Sequence, residues 1–365
     1  MTEVVASAPG KLVLLGEYAV LEGAPAVTMA VDRRASARLR HRADGRCQVL
    51  APDVVTGAQP FAIGADGLPD WRAAGAAAAT LSLVDEVLRG LADEQLGVVA
   101  GDGFELALDT SAFFDVLGAT RQKLGLGSSA ALTVALASAV AAHSGHAGAT
   151  ESRSDWLNRL LDLHRRFQGG QGSGVDVATS LVGGLIAYRL RGADGRPQAT
   201  PLRWPTGLHR AFIWSGNSAS TPKFLAILRD WRRAAPAHEA DYGTRMAALT
   251  ATAEAAVSAL VADDAGGFLH CAGRYGRELR ALGQASGVDI WSAAHEAIAA
   301  LAACHEDVVY KPCGAGGGDV GVLFATDPER LAAAVAQLAG AGFASVPLAV
   351  DPTGLRLEFT ESEEA

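Results

Sequence analysis

Cysteine is scarce in this chain, and what there is lies scattered. Cys47, Cys271, Cys304 and Cys313 show no C-x-x-C spacing, so neither a zinc site nor a disulfide framework is indicated. Reduced thiols in a cytoplasm are the expectation. No apolar run reaches the roughly 18 residues that a membrane span needs. The longest, Ala130 to Ala142, reads as a buried helix, and the N-terminus lacks the basic-then-apolar order of a signal peptide. Positive charge is in deficit: a net charge of -9 leaves no surplus to neutralise the phosphates of a nucleic acid. A local basic pocket for a small anion remains compatible with it. Also missing are the H-E-x-x-H metalloprotease pattern, the G-x-S-x-G nucleophile elbow and the P-loop G-x-x-x-x-G-K-[ST].

What is present describes a cored globule. Hydrophobic residues make up 49% and charged residues 19% of 365 positions, enough for two domains of ordinary size. A change of character near residue 205 divides the chain into 1–205 and 206–365. In the first part, short apolar runs punctuated by glycine and proline predict strands over Val4 to Val31 and a strand pair around Asp44-Gly45. Phe104 to Leu108 reads as a strand, and helices are expected from Asp70 to Leu96, from Ala130, and over Ser154 to Phe167. In the second part, helical patterns cover Tyr242 to Val261 and Trp291 to Ala303. Strands are expected at Ala211 to Trp214, Val308 to Lys311, Gly321 to Ala325, Val346 to Val350 and Leu355 to Phe359.

Four segments carry candidate chemistry. In "KLGLGSSAAL" (Lys123 to Leu132), successive amides of a glycine turn form a nest for an anion, and the helix that follows adds the positive end of its dipole. Ser128 and Ser129 stand ready for phosphate oxygens or a phosphate-bound magnesium ion. The half-match to a dinucleotide fingerprint fails because Ala130 occupies the third glycine place. In "KPCGAGGGDVGVLFA" (Lys311 to Ala325) the glycines are denser than a hairpin needs, which implies a close approach to the backbone. Asp319 after them is unsuited to an anion cradle and reads as a cap or a substrate-orienting group. In Ala8 to Val27, Lys11 lies between a turn and an apolar strand, where a lone lysine is ordinarily solvated. In "GSGVDVATS" (Gly172 to Ser180), Asp176 reads either as a helix cap or as a carboxylate at a reaction centre. Two glycine cradles, a lysine and an aspartate favour a nucleotide-dependent phosphotransferase over a binding module.

Together and in this order, the segments resemble the GHMP kinase superfamily, over essentially the whole chain. Within it the pattern is similar to the phosphomevalonate kinase branch. Tyr18 stands where mevalonate kinases carry histidine, Lys123 precedes the glycine loop, Asp319 ends "GAGGGD", and "WSGNSASTP" (Trp214 to Pro222) matches as well. The resemblance implies an α+β two-domain fold, with an N-terminal ribosomal-protein-like α/β domain, a ferredoxin-like C-terminal domain and the active site in the cleft between them. It also implies ATP and Mg²⁺. Gly125, Leu126, Gly127, Ser128, Ser129 and Ala130 would wrap the ATP phosphates, with Ser128 or Ser129 near the metal. Lys11, Asp176 and Lys123 would be catalytic. Tyr18, Ser173, Ser218, Ser220, Thr221, Gly316, Gly317, Gly318 and Asp319 would meet a phosphorylated small-molecule substrate. Neither nucleic acid nor membrane is implied, and a homodimer stays open. The separate acidic magnesium ligand of mevalonate kinases has no counterpart placed here. The alternatives are a small-alcohol GHMP kinase such as mevalonate kinase, and a GHMP-fold protein that binds without transferring. Arg121, Arg189 and Lys223 read equally as phosphate contacts or as surface ion-pair partners.

Overall fold

The computed structural model describes residues 2–117, 120–146, 152–170, 172–192, 194–218 and 221–361. The N-terminal lobe grows from a long antiparallel hairpin, β1 (Thr2–Leu15) and β2 (Ala26–His41). Pro9 has no N–H to give, and the register shifts between Pro9 and Gly10, as expected where a ladder loses a donor. β2 is buried without a break over Ala26 to Val31 and alternates beyond, the mark of a strand covered on both faces and then on one.

β3 (Cys47–Leu50), β4 (Ala58–Ile63) and β5 (Pro69–Asp70) extend the sheet, followed by helix α1 (Ser82–Asp93) and β6 (Phe104–Asp109). The strand pair expected around Asp44-Gly45 does not form. β6 lies between β2 and β3, parallel to β3, and its buried Phe104, Leu106 and Leu108 fill that place. The helix expected from Asp70 starts late as an α-helix. Gly75, at φ 57, breaks a 3-10 stretch over Arg72–Leu81 before α1 begins.

A small hairpin, β7 (Phe114–Leu117) and β8 (Thr120–Lys123), leads into α2 (Ser128–His143). α2 is alanine-rich and buried nearly all round, as a helix inside the lobe must be. α3 (Arg153–Phe167), capped by the Ser152 side chain, α4 (Val175–Val182), β9 (Leu185–Arg189) and β10 (Gln198–Leu202) complete this part.

The second lobe runs β11 (His209–Trp214), α5 (Thr221–Ala234), α6 (Pro236–Val261), α7 (Ala265–Ser286), α8 (Ala293–Ala302), β12 (Val308–Pro312), β13 (Val320–Ala325) and α9 (Pro328–Gly340). Its antiparallel sheet has the order β11-β13-β12. The strand expected at Val346 to Val350 is reduced to an edge segment, where Val346 N–H donates to the Phe212 carbonyl at 2.8 Å. Helix α7 was not among the expected elements. Its five glycines each lower helix propensity by roughly 1 kcal/mol, yet Gly276 brings the helix into contact with Lys311 and Trp291.

The last strand, β14 (Arg356–Glu361), leaves this lobe and pairs with β1. Among the described residues β1 to β6, β9, β10 and β14 therefore form one nine-stranded sheet. A single apolar cluster runs from Leu12, Leu14 and Leu15 of β1 to Phe212, Phe224 and Phe268 of the second lobe, so the two lobes share a core. The architecture is α+β. No helix among the described residues is long and apolar enough to cross a membrane.

Candidate active site

Lys11 is half-buried on β1, and its backbone N–H donates to the Leu126 carbonyl at 2.8 Å. That bond hangs the glycine loop on the strand. Gly127 caps α2 at φ 77. A Cβ there would stand 3.1 Å from Lys11 Cε and 3.8 Å from Asp176 Cβ, so the loop lies across the lysine stem with the aspartate beside it, at a backbone angle that favours glycine. Ser128 opens α2 and is buried, where unpaired amides and the helix dipole favour an anion. Ser129 Oγ lies 3.3 Å from Nε2 of the buried His164 on α3. Leu126 and Ala130 are buried in the core and can offer a ligand only backbone. Lys123 is exposed at the end of β8.

Two adjoining cavities open at this point. The larger, about 200 Å³, is lined by Lys11, Glu17, Tyr18, Ser173, Asp176 and Thr221 among others. The smaller, about 70 Å³, is lined by Lys11, Gly125, Thr221, Cys313, Gly316 and Asp319 among others. Residues of all four sequence segments thus converge around Lys11. Asp176 is half-buried in the first turn of α4, where its Oδ1 accepts the Val177 N–H at 3.0 Å. Gly174, not Asp176, is the cap. Lys11 makes no ion pair among the described residues, so its ammonium is not held by Asp176 as a salt bridge. Arg121 and Arg189 prove to be ion-pair partners, of Asp53 at 2.8 Å and Glu254 at 2.6 Å. Ser218 is exposed, and Ser220 lies outside the described residues.

The turn after β1 carries two features that sequence reasoning missed. Tyr18 is buried with φ 61 and ψ -54, a conformation that costs a non-glycine residue about 1–3 kcal/mol. Its hydroxyl donates to the Ala315 carbonyl at 2.6 Å, and burial, with the Glu17 charge adding to it, pushes the phenol well above its ordinary range. Beside it, Glu17 Oε1 accepts from Lys311 Nζ at 2.5 Å, with both side chains out of water. Burial raises the Glu17 carboxyl and the Lys311 ammonium opposes it.

The third glycine segment is held largely by its own lobe. Gly317 N–H donates to the Ile290 carbonyl at 2.8 Å, and its α-carbon sits so close to the Phe224 ring that a Cβ would overlap it. The Gly318 carbonyl accepts from His295 Nε2 at 3.1 Å, while His295 Nδ1 lies 2.8 Å from the Tyr310 hydroxyl. Since a carbonyl can only accept, the proton sits on Nε2 and Nδ1 takes the tyrosine proton. The glycine density therefore reflects tight packing, and Gly316 is the member of the trio that lines the smaller cavity. Asp319, at φ 56, donates its N–H to the Asn217 carbonyl at 2.6 Å and rests its carboxylate against Gly125 of the nucleotide-type loop.

Burial lowers the His295 pKa to about 4, from about 6.5 when unfolded. Its contribution to stability is full above pH 6.5 and falls as pH drops from 6.5 toward 4, by on the order of 2 kcal/mol at pH 5. The thermal midpoint is expected to fall between pH 7 and pH 5, and a His295→Gln variant is expected to flatten that slope. A variant with an unaltered slope would assign the acid sensitivity elsewhere.

The sequence and the fold have counterparts in known proteins. Residues 82–184, which contain the glycine loop and α2 to α4, match the GHMP kinases N terminal domain. The chain is 34% identical over 355 residues to the phosphomevalonate kinase of Streptomyces sp. (strain CL190), covering 87% of this chain and 89% of that one. It is 26% identical over 368 residues to the mevalonate kinase of Thermococcus sibiricus, covering 97% and 98%. The solved Streptococcus pneumoniae phosphomevalonate kinase, in complex with phosphomevalonate and AMPPNP, shares the fold with a TM-score of 0.73 at 17% identity, covering 95% and 99%. The chain belongs to the GHMP kinases, a family of ATP-dependent phosphotransferases. More narrowly, it groups with the mevalonate and phosphomevalonate kinases of that family.

Proposed function

We propose that this kinase transfers the γ-phosphoryl group of ATP to the phosphate of 5-phosphomevalonate, giving 5-diphosphomevalonate. The observation that carries the reading is the convergence of Lys11, an ammonium outside any ion pair among the described residues, with Gly125 of the glycine loop and the Ser173 and Thr221 hydroxyls on one pair of cavities, while Gly127 at the head of α2 lies across the lysine stem. The 34% identity to a phosphomevalonate kinase supports the choice of acceptor.

A phosphate monoester has a second pKa of about 6 and is largely dianionic at neutral pH, so the attacking oxygen needs no general base. What it needs is relief from repulsion as two charged groups approach. The Gly125–Gly127 loop and the α2 N-terminus would cradle the donor phosphates. Lys11, beneath that loop and facing both cavities, would balance the charge that builds between donor and acceptor. Tyr18, Ser173 and Thr221 would bound the acceptor. The Ser128 hydroxyl and the Asp176 carboxylate are the hard oxygen donors that suit a magnesium ion, which keeps several waters and binds through few protein groups. Magnesium, when bound, would supply further neutralisation of phosphate charge.

Phosphorylation of the mevalonate hydroxyl is the second reading. Near full-length similarity to a mevalonate kinase favours it, and Asp176 would then serve as the base. ADP release with Mg-ATP and each acceptor in parallel separates the two, with turnover expected for 5-phosphomevalonate alone. Turnover for mevalonate alone would overturn the proposal. Asp176→Asn is expected to lower kcat about 10- to 100-fold with the shape of the pH profile retained. A loss beyond about 10³ together with one limb of the profile would mark an obligatory base, and unchanged turnover would remove Asp176 from the mechanism.

A further inference from the structure

The turn from Gly16 to Tyr18 belongs to the N-terminal lobe, yet the other lobe also grips it. Three contacts reach it from there. Lys311 Nζ on β12 binds the Glu17 carboxylate at 2.5 Å, the Tyr275 hydroxyl on α7 donates to the Glu17 carbonyl at 2.7 Å, and the Ala315 carbonyl accepts the Tyr18 hydroxyl at 2.6 Å. They bracket the residue with the left-handed backbone, a conformation that persists only where its surroundings over-determine it. Glu17 and Tyr18 in turn form part of the wall of the larger cavity, beside Lys11, Ser173 and Asp176.

The ion pair is poorly built for stability alone. Lys311 is fully buried, and Glu17 Oε2 is buried without a hydrogen-bond partner among the described residues. Well-packed apolar residues of similar volume commonly serve stability as well as such a pair or better. A charge-assisted bond does something that they do not: it fixes one carboxylate, and the turn that carries it, at a set position. The glycine loop is anchored differently, through the Lys11–Leu126 backbone bond within its own lobe, with Asp319 as its neighbour from the other.

We propose that Glu17 and Lys311 are positioning residues, an interlobe strut that holds the Gly16–Tyr18 turn in the shape the acceptor cavity requires and so sets acceptor affinity. The proposal rests on the reading of the larger cavity as the acceptor site. If the turn visits the competent shape only a tenth of the time without the strut, the apparent acceptor affinity falls about tenfold. The donor loop and the reacting groups are left as they were.

Removal of one partner strands a buried charge, so the test uses variants that avoid it. One is the double variant Glu17→Met with Lys311→Met, and the other is Tyr275→Phe, which removes only the bond to the Glu17 carbonyl. Steady-state kinetics and amide hydrogen exchange over residues 16–23 are measured on both. In the double variant the acceptor KM is expected to rise about tenfold, with the ATP KM and kcat within roughly threefold and exchange over the turn faster. Tyr275→Phe is expected to shift the same quantities in the same direction and by less. An unchanged acceptor KM in a folded double variant, or acceptor and ATP KM rising in parallel, would overturn the strut. Should the parent enzyme turn over neither 5-phosphomevalonate nor mevalonate, the acceptor reading fails by itself. Exchange then decides: faster exchange over 16–23 supports the strut, and unchanged exchange overturns it.

Discussion

Replacing Lys11 by methionine is expected to lower kcat by about 10²–10³-fold while leaving the thermal midpoint nearly unchanged. The side chain is half-buried and makes no ion pair among the described residues, so removing its charge strands no partner. Methionine keeps an unbranched stem of similar length beneath Gly127, where Lys11 Cγ and Cε lie 3.3 and 3.1 Å from the place a Cβ would occupy. The backbone bond to Leu126 does not involve the side chain at all. What disappears is the cation between the loop and the two cavities. Arginine is not expected to rescue activity, because its rigid planar fork differs from a compact ammonium and the space under the loop is already tight. Kinetics and a melting curve on the same preparation check the expectation. A kcat within about threefold of the parent would remove Lys11 from the charge balance.

Lys311→Met alone is expected to destabilise the protein by about 3–5 kcal/mol. The cause is the carboxylate left behind. Glu17 is buried, its Oε2 already lacks a partner among the described residues, and Cys313 beside it is a thiol that burial pushes up to about 12 and that carries no positive charge to replace the ammonium. The corresponding fall in thermal midpoint is roughly 4–7 °C. Adding Glu17→Met is expected to restore most of it, because the pair leaves together and the site stays filled. A single variant that melts within about 1 °C of the parent would mean that water reaches the pair.

How much of this was legible beforehand depended on whether the signal was local. α3 was readable because Leu157, Leu160, Leu161 and His164 recur at helical spacing. Lys11, the Gly125–Gly127 loop and Asp176 stood out because glycine and charge are conspicuous among apolar neighbours, and the structure brings them together. α7 was hidden by its glycines, which lower propensity where the chain needs a close approach to Lys311. The strand pair at Asp44-Gly45 failed because a partner from residues 104–109 occupies the place between. Glu17 and Lys311 lie 294 positions apart, and each alone reads as an ordinary surface charge. His295 likewise looks like any helical histidine until Tyr310 and Gly318 close on it.

The return of β14 to β1 bears on how the molecule is made. β1 leaves the ribosome long before β14 does, and their register joins Thr2 to Glu361 through Ser7 to Arg356. At ordinary rates of synthesis β1 waits roughly 20–70 s for that neighbour, with an open strand edge in the meantime. Nascent chains of this protein should therefore lean on ribosome-associated chaperones until the closing strand emerges. A version circularly permuted to place β14 directly ahead of β1 should be freed from that dependence.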